Sequence, residues 1–201
     1  MIIRNIGFLA SHQGTNMQCI IDACKAETLD AKPAAVISNN GDSGALKRAC
    51  NEGIPAYHIS SIRYPDPNVL DCTIRDTLLS HEVDLVVLAG FMKKVGPMTI
   101  KAFKGRIINI HPALLPKFGG EGMYGTNVHE KVLASGDKET GVTIHQVTGA
   151  YDRGAILAQQ KVSIYKDDTV DTLANRVLIT EHKVYVDTIK KIVDGKICLS
   201  P

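Results

Sequence analysis

Residues 106–118 read Arg106-Ile107-Ile108-Asn109-Ile110-His111-Pro112-Ala113-Leu114-Leu115-Pro116-Lys117-Phe118, and the rest of the chain is organised around them. Ile107, Ile108 and Ile110 form a short β-branched apolar run, which predicts a buried strand. Asn109 and His111 interrupt it two positions apart, so in an extended chain both side chains leave on the same face. Pro112 removes the next backbone donor and biases His111 towards an extended conformation. Pro116 turns the chain again behind Leu114-Leu115. Such a strand end is either a satisfied polar pair closing the strand or a site. In a site the amide donates to a developing negative oxygen and the imidazole exchanges a proton near neutral pH.

Working back from this strand, the chain alternates. Ile2 to Ala10, Ala34 to Ser38, Ala56 to Ile59 and Leu85 to Ala89 read as strands. Between them, Met17-Ile20-Ile21-Cys24, Ser43 to Asn51, Pro67 to about His81 and Pro97 to Phe103 read as helices, with Asp66 or Asn68 as a cap. Strict alternation predicts an α/β fold with a doubly wound, mostly parallel sheet. Sites in such sheets lie beyond the carboxyl ends of the strands. Three segments fall there: the turn Ser11 to Asn16, the loop Phe91 to Val95, and Asn109 with His111. The turn around Gly14, Thr15 and Asn16 runs from a strand into a helix N-terminus. That geometry either binds a phosphate or merely caps the helix. It matches neither the dinucleotide nor the Walker glycine pattern.

Downstream the pattern changes. Phe118 to Gly125 is a glycine-rich loop, read as a lid or as an ordinary flexible connection. A helix is expected from Asn127 to Ser135, and strands from Gly141 to Val147 and Ala155 to Ile164. No helix separates those two strands, so they predict an antiparallel extension of the sheet near the C-terminal part. The loop between them carries Asp152. Asp168 to Val193 reads as one long amphipathic helix, and Lys196 to Leu199 as a short terminal strand. Without a linker, repeat or low-complexity run, the expectation is one domain over residues 1–201.

Composition narrows the partners. Twenty-three basic and 21 acidic residues give a net charge of +2, too balanced for nucleic acid or an anionic membrane surface. No apolar run is long enough to span a bilayer. Five scattered cysteines, odd in number and without a C-x-x-C pair, predict reduced thiols in a cytoplasmic protein and no zinc site.

Asn109-Ile110-His111-Pro112, with Leu114-Leu115-Pro116 behind it, resembles the signature of the folate-dependent formyltransferases. The likeness extends through Gly14-Thr15-Asn16, Leu88-Ala89-Gly90-Phe91-Met92, Asp152 and Glu181-His182, in order and over nearly the whole chain. It implies a Rossmann-like fold. It also implies transfer of a formyl group from 10-formyltetrahydrofolate to the primary amine of 5-phosphoribosylglycinamide, a step of purine synthesis, without a metal. By the resemblance Asn109, His111 and Asp152 are catalytic, with Asp152 raising the pKa of His111. Gly14, Thr15 and Asn16 hold the substrate phosphate, and Leu178, Ile179, Thr180 and Glu181 contact the ribonucleotide. Met92, Lys93, Lys94 and Val95, together with Asn109 and Thr148, Gly149, Ala150, Tyr151 and Asp152, hold the folate. A homodimer is left open.

Two positions depart from the family's pattern: His12 stands where glycine is usual, and Pro67 where a folate-side arginine is common. Lys93 can compensate for the latter. The other histidines, His12, His58, His81, His129, His145 and His182, are expected to be surface, capping or structural groups. A sugar-nucleotide formyltransferase and a silent phosphosugar- or folate-binding protein are the competing readings.

Overall fold

Apolar β-branched runs form the strands and capped amphipathic runs form the helices. The computed structural model describes residues 3–200. Its elements are β1 (Asn5–Leu9), α1 (Thr15–Lys25), β2 (Lys32–Ser38), α2 (Gly44–Asn51), β3 (Ala56–His58), α3 (Pro67–Ser80), β4 (Leu85–Leu88), α4 (Pro97–Ala102), β5 (Ile107–His111), α5 (Thr126–Ala134), β6 (Glu139–Gln146), β7 (Ile156–Ser163) and α6 (Val170–Val193). The strands make one seven-stranded sheet in the order β3-β2-β1-β4-β5-β6-β7. β1 to β5 are parallel, β6 opposes β5, and β7 opposes β6. This is the doubly wound, mostly parallel sheet with an antiparallel extension that the alternation predicts.

The helix starts follow their side chains. Ser43 Oγ accepts from the Leu46 N–H, and the Asp66 carboxylate accepts from Asn68 and Val69 with Pro67 in the first turn. Thr169 and Thr172 cap α6 reciprocally. α1 differs: it begins after Gly14, whose φ is 69°, with no side-chain cap.

Two apolar layers cover the sheet. On one face Phe8, Val36, Val87, Ile108 and Ile144 pack with Met17, Val128, Val177 and Ile189 from α1, α5 and α6. On the other, Leu9, Ile37, Val86, Leu88 and Ile107 pack with Ile74, Leu78 and Phe103 from the α3–α4 side. Side chains alternate along β5 and β6, so Asn109, His111 and His145 belong to this second face. The second layer draws no residue from β6 or β7. A stretch of sheet beside α3 and α4 is thus left as the floor of a cleft.

Two boundaries differ from expectation. β1 begins at Asn5, and Ile2 lies outside the described residues. Lys196 to Leu199 is not a strand. Gly195, at φ 72°, turns the chain back, and the Lys196 and Ile197 N–H groups both donate to Lys191 O, at 2.8 and 3.0 Å. Both sheet edges are already formed by β3 and β7. Ile197 and Leu199 pack against the first core layer instead.

Tyr185 ties α6 to the strand ends that open onto the cleft. It is fully buried, and its hydroxyl reaches Leu88 O at 2.9 Å and Ile108 O at 3.3 Å. Tyr185→Phe keeps the ring and removes the donor. It should destabilise the fold by about 1–3 kcal/mol, read as a lower urea midpoint at constant slope. An unchanged midpoint would mean that these carbonyls do not depend on the hydroxyl.

Candidate active site

A cavity of about 890 Å³ opens where β1, β4 and β5 end, within the size range of small-molecule sites. Asn109, His111 and His145 line its floor. Met92, Lys93, Lys94 and Val95 line one wall, and Thr148, Gly149, Ala150, Tyr151 and Asp152 the other. The glycine-rich loop contributes Gly120 to Gly125, α6 contributes Ala174, Asn175, Leu178 and Glu181, and the turn before α1 contributes Gln13 and Asn16. Most of the candidates read from the sequence line this one cavity. That reading omits His145, His129, Gln13, Ala174 and Asn175.

The polar floor is built by strand register. Antiparallel pairing sets Asn109 opposite His145 and His111 opposite Thr143. β6 runs towards the start of β5, so the segment after Gln146 leaves the sheet beside Ile107 and must fold back to reach the site. Asp152 completes that return with a φ of 51°, and Gly154 has no room for a side chain because a Cβ would lie 1.8 Å from Gln146 O. The carboxylate then sits between two rings. Oδ2 is 3.7 Å from His111 Nδ1, and Oδ1 is 3.4 Å from His145 Nε2. These are ion-pair distances, longer than a normal hydrogen bond.

Backbone carbonyls fix both rings, because a carbonyl oxygen can only accept. His111 Nε2–H donates to Phe118 O at 2.7 Å, which turns Nδ1 towards Asp152. His145 Nδ1–H donates to Gln146 O at 2.9 Å, which leaves Nε2 to accept from Asn109 Nδ2 at 3.1 Å. Gly120 N–H donates to Asp152 Oδ2 at 2.9 Å. The start of the glycine-rich loop is therefore clamped onto both His111 and Asp152. His145 and His129, expected to be surface, capping or structural groups, both line the cavity. Only the register of β6 reveals His145, and no sequence spacing predicts it.

Burial decides the charge state of the floor. It pushes the His111 pKa below its ordinary value, outweighing the upward pull of Asp152 and of the Phe118 carbonyl. The expected upward pull of Asp152 is present and is outweighed. Asp152 does raise the pKa, but the ring is almost fully enclosed and loses more from desolvation. Burial and the neighbouring His111 likewise lower His129. Burial pushes Asp152 up, yet the His145 and His111 rings in their protonated forms and the Gly120 N–H hold it below the usual carboxylate range.

At the far end of the cavity, the uncapped first turn of α1 leaves backbone N–H groups for an anion. Gly14 fits because it takes a positive φ and a Cβ would meet Ala45 at 2.9 Å. Asn16 faces the cavity, whereas Gly14 and Thr15 form the turn behind it. The His12 side chain is exposed and outside the lining. Asn16 Nδ2 donates to Glu181 Oε2 at 2.7 Å, and Asn16 Oδ1 is buried without a partner among the described residues. On α6, helical periodicity presents Leu178 and Glu181 to the cavity. It turns Ile179 to solvent at 58% exposure and leaves Thr180 off the lining. Lys93 is on the cavity wall and Pro67 is not. Among the described residues no cluster of three or more ligating side chains could hold a metal, and no helix is long and apolar enough to cross a membrane.

Comparison with known proteins adds a family. The profile of the formyl transferase family matches residues 4–189. The phosphoribosylglycinamide formyltransferase of Haemophilus influenzae is 39% identical over 98% of this chain and 91% of that one. A chloroplastic phosphoribosylglycinamide formyltransferase from Vigna unguiculata is 38% identical over 96% of this chain, which spans 62% of that longer protein. Glycinamide ribonucleotide transformylase 1 from Symbiobacterium toebii superposes with a TM-score of 0.92 at 36% identity, covering 98% of this chain and 91% of that one.

Glu181 supplies a pH test of the site's burial. Desolvation holds its carboxyl above the usual range, more than the Asn16 amide lowers it. A raised folded pKa penalises the folded state once pH climbs above the unfolded value of about 4.3. Glu181→Gln removes that charge. Its melting temperature should therefore exceed wild type at pH 8, with the gain shrinking towards pH 4. A gain independent of pH, measured by thermal unfolding across that range, would contradict the burial argument.

Proposed function

The chain belongs to the formyl transferase family, among its phosphoribosylglycinamide formyltransferases, and on that premise we propose that it formylates the primary amine of 5-phosphoribosylglycinamide with 10-formyltetrahydrofolate. The observation that carries this reading is the convergence of Asn109, His111, His145 and Asp152 on the floor of one cavity. The uncapped α1 terminus takes the phosphate, with Gly14, Thr15 and Asn16 forming the turn. Glu181 receives the ribose hydroxyls, with Leu178 beside it. The walls Met92 to Val95 and Thr148 to Asp152 hold the pterin, which needs backbone donors and acceptors between apolar surfaces.

The chemistry follows from these roles. The amine attacks the formyl carbon, the new N–C bond forms, and the carbonyl oxygen becomes an oxyanion. Asn109 Nδ2–H stabilises that oxygen directly, and His111 does so once Nδ1 has taken a proton, its Nε2–H being committed to Phe118 O. The bond to the folate nitrogen then breaks. The incoming amine gives up one proton and the leaving nitrogen takes one, and the His111 ring can carry it. Burial keeps the resting ring biased to neutrality, so it is ready to accept the proton. The negative oxygen forming beside it, together with Asp152, stabilises the imidazolium.

The direct test incubates purified protein with both substrates and follows release of tetrahydrofolate. Turnover with a sugar-nucleotide amine but not with the ribonucleotide would replace the acceptor. Binding of both ligands without transfer would make the chain a silent binder. Asp152→Asn keeps the side-chain shape and removes the charge. Turnover at neutral pH should fall by about 10²-fold or more, with folding retained. The His111 pKa, titrated by NMR, should drop further, because Asp152 is the main group raising it. An unchanged histidine pKa with near-normal turnover would remove Asp152 from the mechanism.

A further inference from the structure

We propose that Ser11 and Asp71 are positioning residues for the formyl donor, pinning the two ends of the wall loop and leaving its middle free to bind the pterin. Neither lines the cavity, so both act through the loop. The proposal rests on the assignment of Met92 to Val95 to the folate.

Ser11 is the first residue after Ala10 leaves β1, and it is buried. Its hydroxyl accepts from the Met92 N–H at 2.8 Å and donates to Asn39 Oδ1, while its own N–H donates to Gly90 O at 3.0 Å. One residue thereby links the exits of β1, β2 and β4 and fixes where the loop starts. At the other end, the buried Asp71 of α3 accepts from the Met98 N–H at 2.7 Å through Oδ2. Its Oδ1 accepts from the Thr99 N–H at 3.1 Å and from the Thr99 hydroxyl at 2.6 Å. It serves as the cap that Gly96, the residue preceding α4, lacks. The fit requires glycine at 96, since a Cβ there would lie 2.2 Å from the Asp71 carboxyl carbon.

Between the two pins the chain is open. The N–H groups of Lys93, Lys94 and Val95 have no hydrogen-bond partner among the described residues, and all three residues line the cavity. Val95 is buried and anchors the loop from beneath. A short segment fixed at both ends, with its central donors unpaired, is preorganised for the edge of a planar heterocycle. Its ordering cost is met in folding rather than in binding.

Two variants test this. Ser11→Ala removes the acceptor of Met92 N–H, and Gly96→Ala drives the Asp71 carboxylate off α4. Binding of 5,8-dideazafolate, a non-reactive probe, and of the ribonucleotide is measured by calorimetry on the full chain, together with steady-state kinetics. Each variant should weaken the probe and raise the donor KM about tenfold, the size of one lost buried hydrogen bond. The ribonucleotide KM and kcat should stay within about twofold, because the phosphate end and the polar floor are untouched. Equal weakening of both ligands would show a general structural defect and overturn the proposal. If wild type binds the probe and Ser11→Ala binds it as tightly, only the positioning role falls. If wild type does not bind the probe, the folate assignment of the loop falls first and this proposal with it.

Discussion

The antiparallel pairing of β5 with β6 places Asn109 opposite His145, and the rest of the site hangs on that register. The connection from β5 to β6 carries α5, whose Val128 and Val132 pack on the first core face, and the reversal of β6 leaves the second face open as the floor. It also sends the segment after Gln146 the wrong way, so the chain doubles back and Asp152 arrives between His111 and His145. A slip of one residue in β6 would turn His145 into the first core layer and bring Ile144 to the cavity. The buried alternation of Val142 and Ile144 forbids this, since each contributes about 1.5–3 kcal/mol by being buried. The apolar face of β6 therefore sets the polar face.

Enclosure has a cost that the charges reveal. His111, His129 and Glu181 are all pushed towards their neutral forms by burial. Asp152 is the opposite case, its neighbours holding its carboxylate below the usual range. Fixed dipoles and one carboxylate act more strongly in such a medium than in water. The same medium makes Asn16 Oδ1 and His129 Nδ1, which lack a hydrogen-bond partner among the described residues, costly to bury.

Much of this was legible in the sequence, and the misses have physical causes. The strands and helices up to His111 follow from apolar period and cap residues, because each element carries its own signal. Asn109 and His111 share a face by simple strand geometry. His145 was illegible because its role depends on pairing across 36 residues. Ile179 and Thr180 travel with Glu181 in sequence but not around a helix, so adjacency overstated their part. Ile197 and Leu199 alternate like a strand, yet alternation cannot show whether a sheet edge is free. The sign of the His111 shift could not be read from the presence of Asp152, since enclosure is a property of the assembled fold.

Two non-glycine residues at the site take left-handed backbone conformations, Phe118 at φ 59° and Asp152 at φ 51°. Aspartate tolerates this region better than phenylalanine, for which it costs of order 1–3 kcal/mol. Each is held by a bond to the other's neighbourhood: Phe118 O accepts from His111, and Asp152 accepts from Gly120. His111 carries a hydrogen on Nε2 both in the tautomer that the Phe118 carbonyl selects and in the imidazolium. The clamp on the loop thus survives a change of charge on the ring. The nitrogen that gains or loses the proton is Nδ1, the one aimed at Asp152. Protonation can therefore occur beside the carboxylate without releasing the glycine-rich loop, because the Phe118 carbonyl holds Nε2–H and leaves Nδ1 for the exchange.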